Sequence, residues 1–380
     1  MEETDGPSEF YDSETVRKFA LTEEAIAEKT HVLQSNCNEM AEEKKAQLLE
    51  NSVRHWDLFY KHNTDHFFKD RAWLGKELPE LSQACMATEE KGAHEFPLLI
   101  DVGCGVGNSL IPILLENPRM HAVAFDCSPR AVGMLRDRWA SVLHKQEQGR
   151  SSKTTQPPTA GSCIQPTPVD TDAICSADKT VFIQSSSEED YSGDRTDGRQ
   201  KSPSTTAAKP AAALAAAAVA RGEAQVFHYP VGQLRTVAAF DITAGDVPIE
   251  IVTKGTGDFV LLIFVLSALH PRYHATVAKR CATLLKPGGM VLFRDYAYLD
   301  MAQLRFAEQQ KPKLEQNLYA RRDGTLAYYF LKEEIEKLFC SEARLEVYEN
   351  RYCMREMVNR KTQQRMQRIW IQAKFRKPLT

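Results

Sequence analysis

A glycine-rich turn that follows an apolar segment constrains the fold of this chain more than any other feature. The segment FPLLIDV runs into Gly103-Cys-Gly105-Val-Gly107, and the residues beyond favour a helix over Ser109–Glu116. A short, fully apolar run predicts a strand that is buried on both faces, here Pro97–Val102, as in a parallel sheet. Glycines between a strand and a helix let the backbone approach a ligand closely. The turn therefore predicts an α/β fold with a ligand at the carboxyl end of this strand.

Strands and helices alternate along the rest of the chain. HAVAFDCSPRAV predicts a strand that ends at Asp126 and a helix that begins near Ser128-Pro129. Further strands are predicted in AAFDIT (residues 238–243), GDFVLLIFVLSALHP and GMVLFRDY, helices over Tyr273–Leu285 and Lys332–Phe339, and a terminal antiparallel pair in LEVYENRYCM and QRIWIQAKF. Alternation of this kind predicts one doubly wound, Rossmann-like α/β domain that ends in an antiparallel hairpin.

Changes in composition divide the chain into four parts. Residues 1–50 form an acidic, helical amino-terminal extension, and residues 51–96 are rich in aromatic and basic side chains. The α/β domain is predicted to comprise residues 97–145 and 224–380. Between them, residues 146–223 contain many Ser, Thr, Pro, Gly and Ala but few large apolar side chains. Such a segment cannot bury enough surface to offset the entropy of ordering, so it is predicted to be a disordered insertion within the domain.

Charge and cysteine content narrow the class of protein. A formal net charge of −3 over 380 residues argues against binding nucleic acid by bulk electrostatics, although a local basic face remains compatible with it. The nine cysteines form no CxxC pair, so neither a zinc ribbon nor a secreted disulfide framework is indicated, and we predict no metal site. The acidic start has no apolar core of a signal peptide, and the longest apolar run, Phe259–Leu269, is too short to span a membrane. These features predict a soluble, cytoplasmic protein with reduced thiols and no membrane partner.

The residues around the glycine turn favour S-adenosylmethionine (SAM) as the ligand. Asp126 ends the second strand about 20 residues after the turn, where a ribose-binding carboxylate is expected. The spacing is G-x-G-x-G, whereas dinucleotide sites have G-x-G-x-x-G, and LLKPGGMVLFRDY is a turn and strand common in SAM-dependent methyltransferases. Two alternatives remain: another nucleotide, or a turn that only caps the strand, with Asp126 as a helix N-cap.

Two later strands offer residues for the adenine of such a cofactor. Asp241 can accept a hydrogen bond from the adenine amino group, and Ile242 offers its backbone N–H. Ile263 lies within the central apolar strand, where it is either plain core or an apolar wall for adenine.

Eight segments in fixed order carry a family resemblance. They are WDLFYK (Trp56–Lys61), FFKDRAWL (Phe67–Leu74), GCGVGNS (Gly103–Ser109), LIFVLSALHP (Leu262–Pro271), LLKPGGMVLFRDY (Leu284–Tyr296), DMAQLRF (Asp300–Phe306), DGT (Asp323–Thr325) and RIWIQAKF (Arg368–Phe375). From about Trp56 to Pro378, apart from the insertion, the chain resembles the tRNA N3-methylcytidine methyltransferases. DMAQLRF and RIWIQAKF resemble the branch that serves threonine and arginine tRNAs more than the branch that serves serine tRNAs.

The resemblance implies a class I SAM-dependent methyltransferase that methylates N3 of cytidine 32 in the tRNA anticodon loop. Its implied partners are a tRNA anticodon stem-loop and, as an open question, an aminoacyl-tRNA synthetase or other accessory protein. The residues it implies for cofactor binding are Trp56, Tyr60, Gly103, Gly105, Asp126, Asp241, Ile242 and Ile263.

The aromatic segment upstream of the glycine turn then acquires a role. Trp56 and Tyr60 are four residues apart, so on a helix they share a face, and their rings can close over the sulfonium or the adenine. The alternative is an amphipathic helix whose rings only pack on the domain. The residues expected to stack on and neutralise an extruded nucleotide are Phe67, Phe68, Lys69 and Arg71.

The proposed methyl transfer requires no general base. N3 of neutral cytosine already carries a lone pair, so the enzyme mainly has to align N3, the methyl group and the sulfur. Because the methylated base is a cation, a carboxylate nearby would help, and Asp295 in Arg294-Asp295-Tyr296 is the hypothesised one. These three residues form the candidate catalytic group. The alternative is that Asp295 is a buried acid paired with Arg294.

The terminal hairpin carries many cations, which predict either a solvated basic face or contacts to RNA phosphates. They are Arg351, Arg355, Arg360, Lys361, Arg365, Arg368 and Lys374, of which Arg355, Arg360 and Lys361 are the candidate RNA contacts. Two other functions remain open: the same fold methylating a small molecule or protein, and a non-catalytic SAM-fold subunit that supports a partner enzyme. The intact glycines and the acids Asp126 and Asp241 argue against the second.

Overall fold

Eight strands form one mixed sheet in the computed structural model, which describes residues 16–18, 20–65, 67–90, 96–151, 231–358 and 365–379. These strands are β1 (Val16–Lys18), β2 (Leu98–Val102), β3 (His121–Asp126), β4 (Gln233–Ala239), β5 (Gly257–Ile263), β6 (Leu285–Tyr296), β10 (Glu346–Val358) and β11 (Arg365–Arg376). A small antiparallel sheet contains β7 (Lys313–Glu315), β8 (Leu318–Ala320) and β9 (Leu326–Tyr328).

Ten α-helices are found within the described ranges. They are α1 (Glu23–Ser35), α2 (Glu42–Glu50), α3 (Ser52–Asn63), α4 (Leu74–Glu77), α5 (Pro79–Glu90), α6 (Leu110–Glu116), α7 (Pro129–Ser151), α8 (His274–Leu284), α9 (Met301–Glu308) and α10 (Lys332–Glu336). Side chains cap several of them: Thr22 accepts a hydrogen bond from the Ala25 N–H at the start of α1, and Asp300 accepts one from the Ala302 N–H at the start of α9. None of these helices has both the length and the apolar character needed to cross a membrane.

The order of strands in the large sheet is β1-β10-β11-β6-β5-β2-β3-β4. Strands β2 to β6 pair in parallel, whereas β11, β10 and β1 add antiparallel neighbours at one edge. The chain moves outward from β2 through β3 and β4, then returns to β5 on the other side of β2. This reversal creates a switch point between β2 and β5, where open α/β sheets bind ligands at the carboxyl ends of the strands. The predicted doubly wound fold and its terminal hairpin are confirmed.

The central strands are apolar because helices cover both faces of the sheet. Along β5, Val260 and Leu262 pack into one hydrophobic cluster, while Phe259 and Leu261 pack into the other. Alternate side chains of a strand point to opposite faces, so a strand that is buried on both sides must be apolar throughout. The long apolar run that the sequence shows is thus explained by its position in the middle of the sheet.

Two predicted boundaries are wrong. The third strand was expected to reach Thr243, but β4 ends at Ala239 because Asp241 Oδ1 accepts hydrogen bonds from both the N–H and the Oγ1 of Thr243, each at 2.8 Å, which makes a turn. Helix α7 continues to Ser151, past the predicted start of the insertion at residue 146. The rest of the predicted disordered insertion, residues 152–223, lies outside the described part of the chain.

Ion pairs fasten the segment around α4 and α5 to the terminal hairpin. Lys374 on β11 is only 4% exposed, and its ammonium contacts Glu80 of α5 at 2.7 Å and Glu349 of β10 at 2.9 Å. The Arg294 guanidinium lies 4.3 Å from the Trp73 ring centroid, just before α4. These contacts hold the segment around α4 and α5 against β6 and the terminal hairpin.

We predict that Lys374→Met lowers the free energy of unfolding by about 3 kcal/mol, because it leaves two partly buried carboxylates without their shared cation. Urea denaturation measures the change. Arg365→Ala is the matched control on the same strand, since Arg365 is exposed and its pair with Glu356 should contribute less than about 1 kcal/mol. Equal stability of Lys374→Met and the wild type would contradict the importance of this attachment.

Candidate functional site

The glycine turn passes closely between α3 and the core. Gly103 and Gly105 have φ values of +65° and +53°, a left-handed conformation that side chains disfavour. A Cβ atom at Gly105 would lie 2.6 Å from the Tyr60 hydroxyl oxygen, and one at Gly103 would lie 2.8 Å from Val265. Only glycine fits at these two positions, as expected of a backbone that a ligand must approach.

Asp126 lies at the end of β3, next to the turn. Its Oδ2 accepts a hydrogen bond from the Gly105 N–H and its Oδ1 accepts one from the Ser128 N–H, both at 2.9 Å. Burial raises the pKa of this carboxyl group, and the two N–H donors partly oppose that shift. Each carboxylate oxygen can accept a second hydrogen bond, as the hydroxyls of a ribose would require. Asp126 is not the N-cap of α7, because the Ser128 hydroxyl accepts the hydrogen bond from the Ala131 N–H.

A first cavity of about 90 Å³ opens at the carboxyl ends of β3 and β4. It brings together six of the eight predicted cofactor-binding residues: Trp56, Tyr60, Gly103, Asp126, Asp241 and Ile242. The other two, Gly105 and Ile263, line a second cavity beside it. The turn, the acid at the end of β3 and this slot fit the nucleoside part of SAM.

The second cavity measures about 440 Å³ and adjoins the first, sharing Trp56, Tyr60, Gly103, Phe264 and Ala268 with it. It is the larger of the two. Its aromatic lining residues are Trp56, Phe59, Tyr60, Phe67, Phe68, Phe264, Tyr296 and Trp370. Its charged lining residues are Arg71, Arg321 and Arg368, and no Asp or Glu of the described ranges lines it.

Helix α3 lines both cavities through Trp56 and Tyr60, whose spacing predicted that they share a face. The two ring centroids are 6.1 Å apart, so the rings do lie on one face. Asp57 holds the helix in place, because its Oδ1 accepts a hydrogen bond from the Ser128 hydroxyl at 2.8 Å and its Oδ2 lies 3.5 Å from Nε of Arg130. The helix is therefore attached to the start of α7, directly beside Asp126.

The FFKDR segment continues this cover over the glycine turn. The Arg71 N–H donates to the Asn108 carbonyl at 2.7 Å, and the Arg71 Nη1 donates to the Ser109 hydroxyl at 2.9 Å. The guanidinium lies 5.8 Å from the Phe68 ring centroid and 5.3 Å from that of Phe264. Phe67 is 58% exposed and lines the second cavity, whereas Lys69 is exposed and lines neither cavity.

The candidate catalytic group is corrected by the structure. Of its three residues, only Tyr296 lines either of these two cavities. Asp295 is fully buried, and its carboxylate accepts hydrogen bonds from the N–H groups of Ser267 and Tyr296 at 2.9 Å. Arg294 points to the other face of β6, where its Nη1 donates to Gln372 at 2.8 Å. Both the substrate-facing role of Asp295 and its pairing with Arg294 were therefore wrong.

Within the described residues, most cations of the terminal hairpin contact acidic side chains. Arg351 contacts Glu349 and Glu77, Arg365 contacts Glu356, and Lys374 is buried between two acids. Arg355 donates a hydrogen bond to the Met354 carbonyl at 3.1 Å. Arg360 and Lys361 lie outside the described residues.

Phe264 was missed by the sequence analysis, although it lines both cavities. It follows β5 at the switch point, its φ is +59°, and its ring centroid lies 5.0 Å from that of Tyr296. A strained residue of this kind is typical of functional sites. Its position after the central strand was the available signal. Within the described ranges, no group of three or more His, Cys, Asp or Glu side chains is arranged to hold a metal ion.

We expect Asp126→Asn to weaken SAM binding about tenfold or more, because an amide offers one acceptor oxygen where the carboxylate offers two charged ones. Isothermal titration calorimetry measures the affinity. Asp137→Asn is the control, because Asp137 is exposed on α7, and this variant should bind SAM as the wild type does. Unchanged binding in Asp126→Asn would remove this carboxylate from the cofactor site.

The buried Asp295 gives a dependence of stability on pH. Burial raises its pKa to about 6, opposed by the hydrogen bonds from Ser267, whereas the unfolded chain has a pKa of about 3.9. The folded state thus holds this proton longer as pH rises, so stability falls between about pH 4 and pH 6. Relative to Asp295→Asn, the wild type should lose about 2–3 kcal/mol over that interval in urea denaturation. A difference that does not vary with pH would contradict the expectation.

Comparison with known proteins gives the family. Residues 71–350 match the family model described as a methyltransferase domain. The chain is 30% identical to the tRNA N(3)-cytidine methyltransferase METTL6 of Homo sapiens, over 88% of this chain and 84% of that protein. It is 27% identical to the tRNA N(3)-methylcytidine methyltransferase Mettl2 of Drosophila melanogaster, over 94% of this chain and 81% of that protein.

A third relative names a position in the tRNA. The chain is 29% identical to the tRNA(Thr) (cytosine(32)-N(3))-methyltransferase of Saccharomyces cerevisiae, over 87% of this chain and 37% of that protein. The resemblance seen in the sequence is confirmed at the level of the family, and with it the expectation of SAM as cofactor. The chain belongs to the tRNA N(3)-cytidine methyltransferases, a family of SAM-dependent enzymes with the methyltransferase domain.

Proposed function

We propose that this protein transfers the methyl group of SAM to N3 of cytidine 32 in the tRNA anticodon loop and so forms 3-methylcytidine. The observation that carries the proposal is the ring-lined second cavity of about 440 Å³ beside the glycine turn. N3 of a paired cytosine is blocked, so the base must leave its stack and enter a pocket. Aromatic side chains that stack on unpaired bases are the usual means by which proteins hold such a nucleotide.

The position and the tRNA rest on the relatives. The yeast relative is named for cytosine 32 of tRNA(Thr), which supports position 32 as the target. The assignment to the branch for threonine and arginine tRNAs stays a prediction, because the METTL6 and Mettl2 relatives are similar to the chain to nearly the same degree, at 30% and 27% identity. An accessory synthetase and a cytoplasmic location also stay predictions.

The residues support a reaction without a general base. SAM would supply an electrophilic methyl group on its sulfonium. N3 of cytosine would form the new bond with its own lone pair, and the electrons of the broken methyl–sulfur bond would stay on the sulfur. The described lining of the second cavity contains no carboxylate, which suits a step in which no proton has to be removed. What the protein must supply is alignment, and the covering rings can also stabilise the cationic base that forms.

We assign the residues of the two cavities accordingly. Trp56 and Tyr60 cover the cofactor, Asp126 holds its ribose, and Asp241 with Ile242 contacts the adenine. The target base enters between Phe67, Phe68 and Tyr296. Lys69 and Arg355 are assigned to the RNA outside the cavity, and the same role for Arg360 and Lys361, which lie outside the described residues, stays a prediction.

The proposal predicts labelled 3-methylcytidine when total tRNA is incubated with the protein and isotopically labelled SAM, as measured by nucleoside mass spectrometry. An anticodon stem-loop with uridine at position 32 should take no label. Gly103→Ala should lose at least about tenfold in rate, since Val265 leaves no space for a methyl group there. Gly133→Ala is the matched control, because nothing lies within 4 Å of its Cβ position.

Other outcomes would overturn the proposal in different ways. Label on another nucleoside would keep the enzyme class and change the target atom. Label only on a small molecule or a protein would remove tRNA as the substrate. SAM binding without any transfer would favour a non-catalytic subunit.

A further inference from the structure

We propose that Arg321 and Arg368 form a phosphate subsite in the second cavity, which binds the RNA backbone next to the methylated cytidine. This inference rests on the proposed function, since it takes RNA as the substrate. It adds a recognition site for the backbone to the pocket for the base.

The cavity presents only positive charge to a ligand, although Asp300 lies behind Arg368. Three arginines line it, and no Asp or Glu of the described residues does. A cytosine base is neutral before methyl transfer and cationic afterwards, so the base itself offers these arginines no opposite charge. The phosphates on either side of an extruded nucleotide do, and arginine binds them in a planar, forked geometry.

Two of the arginines border the same ring. The guanidinium carbon of Arg321 lies 5.8 Å from the Tyr296 ring centroid, and that of Arg368 lies 5.9 Å from it. Arg71 lies beside Phe68 and Phe264 and is tied to the glycine turn through Ser109. Of the three arginines, it is therefore the one that is already bound to the turn.

Each of these two arginines is anchored on one side only. Nε of Arg368 donates to the Asp300 carboxylate at 2.9 Å, and Nη1 of Arg321 donates to the Leu326 carbonyl at 2.7 Å and to the Thr325 hydroxyl at 3.2 Å. Within the described residues, the Nη1 and Nη2 groups of Arg368 and the Nε and Nη2 groups of Arg321 have no hydrogen-bond partner in the structure. Anchored guanidinium groups with unused donors are suited to bind a phosphate without a large entropic cost.

The loop that carries Arg321 is rigidly built. Asp323 Oδ1 accepts hydrogen bonds from the Thr325 N–H at 3.0 Å and from its hydroxyl at 2.7 Å, so this exposed acid is already engaged within the turn. Gly324 has a φ of +80°, and a Cβ atom there would lie 2.8 Å from the His55 ring. The loop thus packs directly on α3, the helix that covers the cofactor cavity. The subsite and the cofactor cover are in contact.

The test combines a change in the protein with a change in the RNA. Anticodon stem-loops are made with a neutral methylphosphonate at the phosphate on the 5′ side or on the 3′ side of cytidine 32. For the wild type, we expect one of the two substitutions to weaken RNA binding about tenfold. For Arg321→Ala, binding of the unmodified RNA should already be about tenfold weaker. The methylphosphonate that weakens wild-type binding should then weaken it by less than about twofold further.

Two further variants complete the design. Arg368→Lys keeps a cation for the buried Asp300, so the protein should stay folded, but it loses the forked donors. The methylphosphonate should therefore have little further effect on its RNA binding. Arg322→Ala is the control, because Arg322 is the exposed neighbour of Arg321 and lines neither cavity. It should keep the full effect of the methylphosphonate. SAM affinity should be unchanged in Arg321→Ala.

The outcomes separate the two proposals. If methylphosphonate weakens binding to Arg321→Ala and Arg368→Lys as much as to the wild type, the subsite is wrong. A fall in kcat with unchanged RNA affinity would also overturn it, since the arginines would then act on the base. If the unmodified stem-loop gains no 3-methylcytidine with the wild type, the proposed function itself fails.

Discussion

Both cavities depend on the attachment of the aromatic segment to the glycine turn and to α7. Asn108 is at the centre of that attachment: its carbonyl accepts from the Arg71 N–H, and its amide donates to the Phe68 carbonyl and to Asp70. Asp70 in turn accepts two hydrogen bonds from Arg138 of α7. A residue of the glycine turn therefore holds the cover of the second cavity directly. The same few hydrogen bonds support the wall that the two cavities share.

The distribution of charge explains how a chain with a net charge of −3 can present a cationic cavity. Most of the hairpin cations that the structure describes are paired with acids of the protein itself, as Lys374 is between Glu80 and Glu349. Arg368 differs, because Asp300 engages only its Nε and leaves the outer guanidinium toward the cavity. RNA binding therefore depends on which cations are not fully paired with acids, and the net charge of the chain does not show this.

The sequence predicted the parts of the site that follow from strand order. Buried apolar runs identified β2, β3 and β5, and parallel strands bring their carboxyl ends to one edge, so Asp126 could be placed beside the turn. The predicted role of Asp295 was wrong because β6 is apolar on both faces, so its sequence pattern does not show which face lines the cavity. Its partner, the Ser267 N–H, comes from a turn after β5 that only the tertiary structure brings near. Phe264 was missed because the apolar run that contains it was interpreted as a buried strand, and its positive φ does not show in the sequence.

The proposed reaction places opposite demands on one cavity. The pocket must accept a neutral base and then release a cation, while the positive charge of the cofactor disappears. Rings satisfy both demands, because they stack on a neutral base and also attract a cationic one. A carboxylate in the lining would bind the cationic product more strongly than the substrate and so slow its release. Arginines that hold the backbone phosphates keep the nucleotide in place through contacts that do not change when the base becomes charged. On this reasoning, the lack of acids in the described lining and the subsite at Tyr296 have the same effect, because neither makes the cationic product bind more tightly than the neutral base.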